Sequence, residues 1–169
     1  MVCSPGSSTE ESFMLEIVVL TVSDRAFTGD YEDRSGPEIR GILESSGLEL
    51  TVQAGLVPDD SAAIRIALEK WKGVDWIITT GGTGIGPRDQ TPEVTSAFCE
   101  RVLPGVAEML RRESCRETPQ AVFSRGVCGV HGRTLVVNFP GSVKAVRLCT
   151  RLILPLLEHG PGMLRGEGH

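Results

Sequence analysis

Two groups of residues in this sequence are chemically suited to handling phosphate. The first is the run Thr79-Thr80-Gly81-Gly82-Thr83-Gly84-Ile85-Gly86-Pro87-Arg88-Asp89, in which glycines and threonines directly follow an apolar stretch. Such a run can present successive backbone N–H groups and hydroxyls to an anion. It is not a P-loop, because Pro87-Arg88 stands where Lys-Ser/Thr is required, nor a dinucleotide fingerprint, because Pro87 takes the place of the third glycine. The second is a pair of carboxylates, Asp59 after Val57-Pro58 and Asp89 at the end of the glycine-rich run. Either alone reads as an aspartate that orders a turn or a helix start. Together beside a phosphate cradle they match what a nucleotide-bound Mg2+ needs: a few carboxylate oxygens completed by water and substrate phosphates.

A third element is Ser124-Arg125-Gly126, followed by Asn138-Phe139-Pro140-Gly141-Ser142. Ser124 and Arg125 are suited to gripping phosphate, and Pro140-Gly141-Ser142 before a helix offers a tight turn with free N–H groups. Arg25 and Arg34, beside Asp24 and Asp33, read as surface ion pairs. The histidines His131, His159 and His169 form no triad, and no Ser or Cys has a base partner, which argues against acyl transfer.

These residues have to be positioned by elements, and the hydrophobic pattern supplies them. Residues 17–22 and 76–80 are short apolar runs, the signature of buried parallel strands, and residues 48–57 and 135–139 supply two further strands. Between them lie amphipathic stretches at helical spacing, for example Ala63, Ile64, Ala67, Leu68 and Trp71, or Val143, Val146, Cys149, Leu152 and Ile153. Helix starts are marked by Ser35-Gly36-Pro37, by Pro58-Asp59-Asp60-Ser61, by Thr91-Pro92-Glu93 with Thr91 as the cap, and by Pro104. Alternating strands and helices predict an α/β fold with a mostly parallel sheet covered on both faces. Ligands then bind outside the carboxyl ends of the strands. Those ends carry Ser23, Asp59, the loop from Gly81 to Asp89, and the turn from Asn138 to Ser142.

Length and composition set the limits. A chain of 169 residues, 40% hydrophobic and 23% charged, suits one globular domain, read over residues 13–159. Residues 1–12 and 160–169 are polar and glycine-rich and read as flexible tails. A net charge of −5 excludes a broad nucleic-acid surface but not anionic small ligands. The five cysteines include no C-x-x-C pair and no zinc spacing, which suggests reduced thiols and a cytoplasmic protein. No apolar run approaches the length of a membrane span, and the N-terminus does not read as a signal peptide.

Taken in order, Leu20-Thr21-Val22-Ser23-Asp24, Asp33-Arg34-Ser35-Gly36, Val57-Pro58-Asp59, Thr79 to Glu93, Ser124-Arg125 and Asn138 to Ser142 resemble the molybdopterin adenylyltransferase family, which includes the G domain of gephyrin. The resemblance covers residues 15–158, and its longest motif is TTGGTGIGPRDQTPE. It implies a three-layer αβα sandwich, usually a homotrimer, that transfers AMP from Mg·ATP to molybdopterin with release of pyrophosphate. The family's essential aspartates fall on Asp59 and Asp89, as catalytic residues and as candidate Mg2+ ligands. Its substrate-binding positions fall on Ser23, Thr80, Gly81, Gly82, Thr83, Gly84, Ser124, Arg125, Asn138, Pro140, Gly141 and Ser142, the later ones toward AMP. Phe139 and Gln90 depart from the family's usual Leu and Val. The resemblance leaves open whether Asp59 meets the metal or the pterin, and it implies a molybdate-insertion protein as a partner for the product. The competing reading is a pterin-binding or scaffold protein of the same fold without turnover.

Overall fold

The computed structural model describes residues 13–167, so the stretch 1–12, expected to be a tail, lies outside the described residues. The described chain forms β1 (Leu15–Val22), α1 (Asp24–Phe27), α2 (Ser35–Glu44), β2 (Leu50–Val57), α3 (Ser61–Trp71), β3 (Trp76–Thr80), α4 (Thr91–Phe98), β4 (Arg101–Val102), α5 (Pro104–Glu117), β5 (Cys128–His131), β6 (Thr134–Phe139), α6 (Val143–Ile153) and α7 (His159–Leu164). The sheet order is β2-β1-β3-β6-β5-β4. The first four of these strands are parallel and the last two antiparallel.

Alternation along each central strand sends side chains into two separate cores. Leu15, Ile17 and Val19 of β1, Trp76 and Ile78 of β3, and Leu135, Val137 and Phe139 of β6 face one layer with Ile39, Leu110, Val146 and Ile153. Val18, Leu20, Val22, Ile77 and Val136 face the other with Ile64, Leu68 and Phe98. A strand covered on both faces needs apolar residues at every position, which is why these runs are continuous rather than alternating. The result is the expected three-layer αβα sandwich with a mostly parallel sheet.

Several local expectations change. Strands β4 and β5 carry no strong strand pattern. At Gly129 an added Cβ would lie 2.8 Å from both Cys99 Sγ and the Arg101 carbonyl, so the edge strand packs where only glycine fits. Thr91 does not cap α4. Gln90 holds that position, and the Thr91 hydroxyl donates to the Gly81 carbonyl instead. Residues 160–167, expected to be part of a tail, are packed on the domain. They form most of α7, bury Pro161 and Gly162, and bring Gly160 so close to Leu135 and Trp76 that a Cβ there would lie 2.7 and 3.3 Å from them. The Trp76 indole N–H donates to the Leu157 carbonyl at 3.0 Å, which anchors this segment to the core. Cys99, Cys115, Cys128 and Cys149 are all free thiols. No helix among the described residues is long and apolar enough to cross a membrane.

Deleting residues 160–169 should therefore lower the thermal midpoint by about 2–8 °C, as loss of packing around Trp76 and Leu135 costs on the order of 1–2 kcal/mol. An unchanged midpoint in a thermal melt would show that the segment contributes nothing to the core.

Candidate active site

Register puts the four parallel strand ends at one level. Val22 pairs with Val57, Thr21 with Thr80, and Thr80 with Phe139, so the loops that follow converge at the same edge of the sheet. The glycine loop leaves β3 through Gly81 (φ +100°) and Gly82 (φ +65°), conformations that side-chain-bearing residues rarely adopt. Space forbids a side chain as well: a Cβ would lie 2.2 Å from the Val22 carbonyl at Gly81 and 2.3 Å from Thr91 Oγ1 at Gly82.

The loop's carbonyls face the protein. Thr91 Oγ1 donates to Gly81 O (3.1 Å) and the Thr91 N–H to Gly82 O (3.2 Å). The Arg125 N–H donates to Thr83 O (2.9 Å) and Arg125 Nε to Gly84 O (2.7 Å). The N–H groups of Gly82, Thr83 and Gly84 donate to no protein acceptor among the described residues. A turn with its acceptors occupied and its donors unspent is a site for an anion.

The two carboxylates flank this loop, Asp59 beside Gly82 and Asp89 beside Gly84 and Gly86. Asp60, not Asp59, caps α3 by accepting the Ala63 N–H at 2.9 Å. That leaves Asp59 to a different partner. Its Oδ2 accepts the Asp24 N–H and its own N–H donates to Asp24 Oδ1, both at 2.9 Å. Arg88 in turn grips Asp24 with Nε and Nη2 at 3.0 Å each, so three strand-end loops are locked by one chain of contacts. Asp89 Oδ2 accepts the Gly86 N–H at 2.8 Å. Each carboxylate thus has one oxygen held by backbone and one without a protein hydrogen bond among the described residues. Burial pushes the Asp59 carboxyl above the usual aspartate range; the Asp24 N–H works against this, and the Asp24 and Asp89 charges add to it.

The residues converge on a cleft with two lobes. The larger, about 470 Å³, is lined by the loop from Gly81 to Ile85 and Asp89, by Ser124, by the turn Pro140-Gly141-Ser142, and by apolar side chains including Phe123 and Leu148. The smaller, about 240 Å³, is lined by Ser23, Tyr31, Asp33, Ser35 and Asp59 with the Thr80 end of β3. Gly81, Gly82, Asp89 and Gly141 line both lobes and form the waist between them. Helix α6 starts at this waist, and Ser142 caps it by accepting the Ala145 N–H at 3.2 Å.

Two expected ligand contacts are instead structural. Arg125 commits its guanidinium to the Gly84 and Asp89 carbonyls and to Glu93, so it shapes the glycine loop rather than gripping phosphate. Asn138 is buried; its amide donates to Thr79 and Thr95 and accepts from the Val127 N–H, bracing strand ends beneath the cleft. The Thr80 hydroxyl likewise donates to the Pro140 carbonyl, and the Ser23 hydroxyl caps α1. The ion pairs expected within 24–34 also differ. Asp24 takes Arg88 from 64 residues away, Arg25 lies over the Tyr31 ring, and Asp33 accepts from Thr21, Ser35 and Gly36. The supporting roles of Asp24, Arg88 and Thr91 differ from their sequence readings as half of a local ion pair, a member of the glycine-rich run and a helix cap: Asp24 and Arg88 find each other across 64 residues, and Thr91 turns back to the Gly81 and Gly82 carbonyls.

The model of the family described as "Probable molybdopterin binding domain" matches residues 18–159, almost the whole described unit. The chain belongs to this molybdopterin-binding family. It is 36% identical to a protein named molybdopterin adenylyltransferase from Helicobacter pylori over 157 residues, covering 90% of this chain and 89% of that one. It is 40% identical to the molybdenum cofactor synthesis protein cinnamon of Drosophila melanogaster, spanning 83% of this chain but only 24% of that longer protein. Among solved structures, the molybdopterin biosynthesis enzyme MoaB of Thermus thermophilus superposes with a TM-score of 0.82 at 42% identity, covering 91% of this chain and 98% of that one.

Raising the Asp59 pKa means that its ionised form is the less favourable one in the folded state. The penalty is complete above the folded pKa and vanishes below the unfolded value. Asp59→Asn keeps an acceptor for the Asp24 N–H, so its thermal midpoint at pH 7 should equal or exceed that of the wild type, with any gain shrinking as pH falls toward about 4 and gone below it. A clearly lower midpoint at pH 7 would mean that the Asp59 charge stabilises the fold, contrary to this reading.

Proposed function

We propose that this chain is a molybdopterin adenylyltransferase, joining AMP from Mg·ATP to the terminal phosphate of molybdopterin. The observation that carries the reading is the waist: free loop N–H groups and the half-committed Asp89 stand where two lobes join, with the half-committed Asp59 on the smaller lobe beside them, so that two phosphorylated ligands can meet there. Family membership and the 36% identity with a named adenylyltransferase support it.

The molybdopterin phosphate is a monoester with a second pKa of about 6, so at neutral pH it is a dianion and needs no general base. One of its oxygens attacks the α-phosphorus of ATP, a P–O–P bond forms, the α–β bond breaks, and pyrophosphate leaves with the electron pair. The obstacle is repulsion between anions, so catalysis lies in positioning and charge stabilisation. The N–H groups of Gly82, Thr83 and Gly84 hold phosphate oxygens, and the α6 N-terminus at Ser142 adds its partial positive charge. Asp24 and Arg88 hold Asp59 in place, and Arg125 does the same for the loop before Asp89.

The donor set suits Mg2+. No group of three or more His, Cys, Asp or Glu among the described residues forms a metal cage, whereas Asp59 and Asp89 each offer one free oxygen beside the phosphate cradle. Mg2+ is commonly held by one or two carboxylates plus substrate phosphates. Bound there, it would supply charge neutralisation for the triphosphate. A homotrimeric assembly, transfer of the product to a molybdate-insertion protein and a cytoplasmic setting belong to the same proposal.

The test is an anaerobic assay of pyrophosphate release and adenylylated pterin from Mg·ATP and molybdopterin. Wild type should form both products in equal amounts, and Asp89→Asn should lose about 100-fold or more in kcat. A folded wild type that binds molybdopterin but forms no product would establish a binding protein instead.

A further inference from the structure

Each lobe of the cleft carries one exposed aromatic side chain. Phe123, 58% exposed, lines the larger lobe, and Tyr31, 47% exposed, lines the smaller. The chain is poor in aromatic residues, and its other two exposed phenylalanines, Phe13 and Phe27, line neither lobe. Trp76, Phe98 and Phe139 are buried in the core. A large apolar ring left open to water at a concave surface gains most from a flat ligand that covers it.

The backbone that carries each ring is tied to its surroundings. Phe123 closes a single 3-10 turn over Pro119–Phe123. The residue after it is tied down by Arg111, whose Nη1 donates to the carbonyls of Ser124 (2.9 Å) and Gly126 (3.2 Å). Arg125, next along, is bound to the glycine loop. Tyr31 donates its backbone N–H to the Arg25 carbonyl at 3.1 Å, and the Arg25 guanidinium stands 5.2 Å from its ring centre, within cation–π range. Neither ring hangs on a loose segment, so stacking on either carries a small ordering cost.

We infer that Phe123 and Tyr31 are the stacking residues of the two lobes, each holding the flat nitrogen heterocycle of one reaction partner while the phosphates meet at the waist. The inference rests on the adenylyl-transfer reading in that it requires two ring-bearing ligands, one per lobe. Its distinctive content is a division of labour: each aromatic residue serves one ligand and not the other.

The experiment is a set of equilibrium titrations on the full chain, using molybdopterin under anaerobic conditions and the Mg2+ complex of α,β-methylene ATP, which cannot transfer its adenylyl group. Phe123→Ala and Tyr31→Ala should each weaken one ligand by about 5- to 100-fold, the range for losing one aromatic stacking contact, and the two variants should affect different ligands. Phe123→Trp and Tyr31→Phe keep a ring and should restore affinity to near the wild-type value. Because both side chains are exposed, thermal midpoints should stay within about 2 °C of the wild type. Steady-state KM values should split in the same pattern as the dissociation constants.

The inference is overturned if neither alanine variant weakens a ligand that the wild type binds, if both weaken the same ligand, or if the ring-retaining variants fail to restore binding. A wild type that binds only one of the two probes removes the adenylyl-transfer reading and this inference together. A wild type that binds both, with Phe123→Ala indifferent, removes the stacking role alone.

Discussion

The turn at Gly81-Gly82 is the constraint on which the rest of the site depends. Here β3 ends with its backbone pressed against the Val22 carbonyl, at a point where a Cβ would lie 2.2 Å from that oxygen. Three strand ends and a helix are joined through this turn. The Gly81 N–H donates to Phe139 O on β6, and Gly81 O and Gly82 O accept from Thr91 at the start of α4. Because the turn's carbonyls are spent on the protein, its donors point elsewhere. The proposed anion site would draw on backbone N–H groups rather than on cationic side chains, which suits a chain with a net charge of −5.

Around this turn the protein uses charged side chains chiefly to hold loops. Arg125 braces the loop from three sides, Arg111 holds the Ser124 turn, and Arg88 holds Asp24, which in turn holds Asp59. The result is a negative pair of carboxylates kept close to one another and to a phosphate cradle. Burial is the largest cause of the upward push on the Asp59 carboxyl, and the Asp24 and Asp89 charges add to it. No side-chain N or O atom that is buried among the described residues lacks a hydrogen-bond partner.

The fold serves this site through register. In a parallel sheet with in-register strand ends, loops that are far apart in sequence emerge side by side, and residues 23–24, 57–59, 80–89 and 139–142 become neighbours. The antiparallel strands β5 and β4 extend the sheet, and the connection between them brings Ser124 and Arg125 to the glycine loop, where the Arg125 N–H donates to the Thr83 carbonyl. The division into two lobes follows. The α6 start and the Ser124 turn wall one side, α1 and the Asp33 turn the other, and only the glycine turn, Asp89 and Gly141 are common to both.

Sequence by itself determined the layered α/β architecture, the four parallel strands, and the places where chemistry could occur. Short continuous apolar runs rich in β-branched residues, as at 17–22 and 76–80, are the pattern of strands covered on both faces, and a glycine-rich run straight after one marks a turn at a strand end. It also singled out Asp59 and Asp89, because their positions follow strand ends. What each polar side chain does was decided by tertiary structure alone. Arg125 and Asn138 have the chemistry of phosphate ligands, yet their partners lie 32 to 59 residues away and take up their donors. Asp24 looked like half of a local ion pair until Arg88 arrived from another loop. The edge strands and α7 were hidden for a related reason: glycines at 129 and 160 read as breaks in a pattern, but in the folded chain they are points of close packing. Periodicity reports which face of an element is dry, whereas hydrogen-bond partners are set by which loops the sheet brings together.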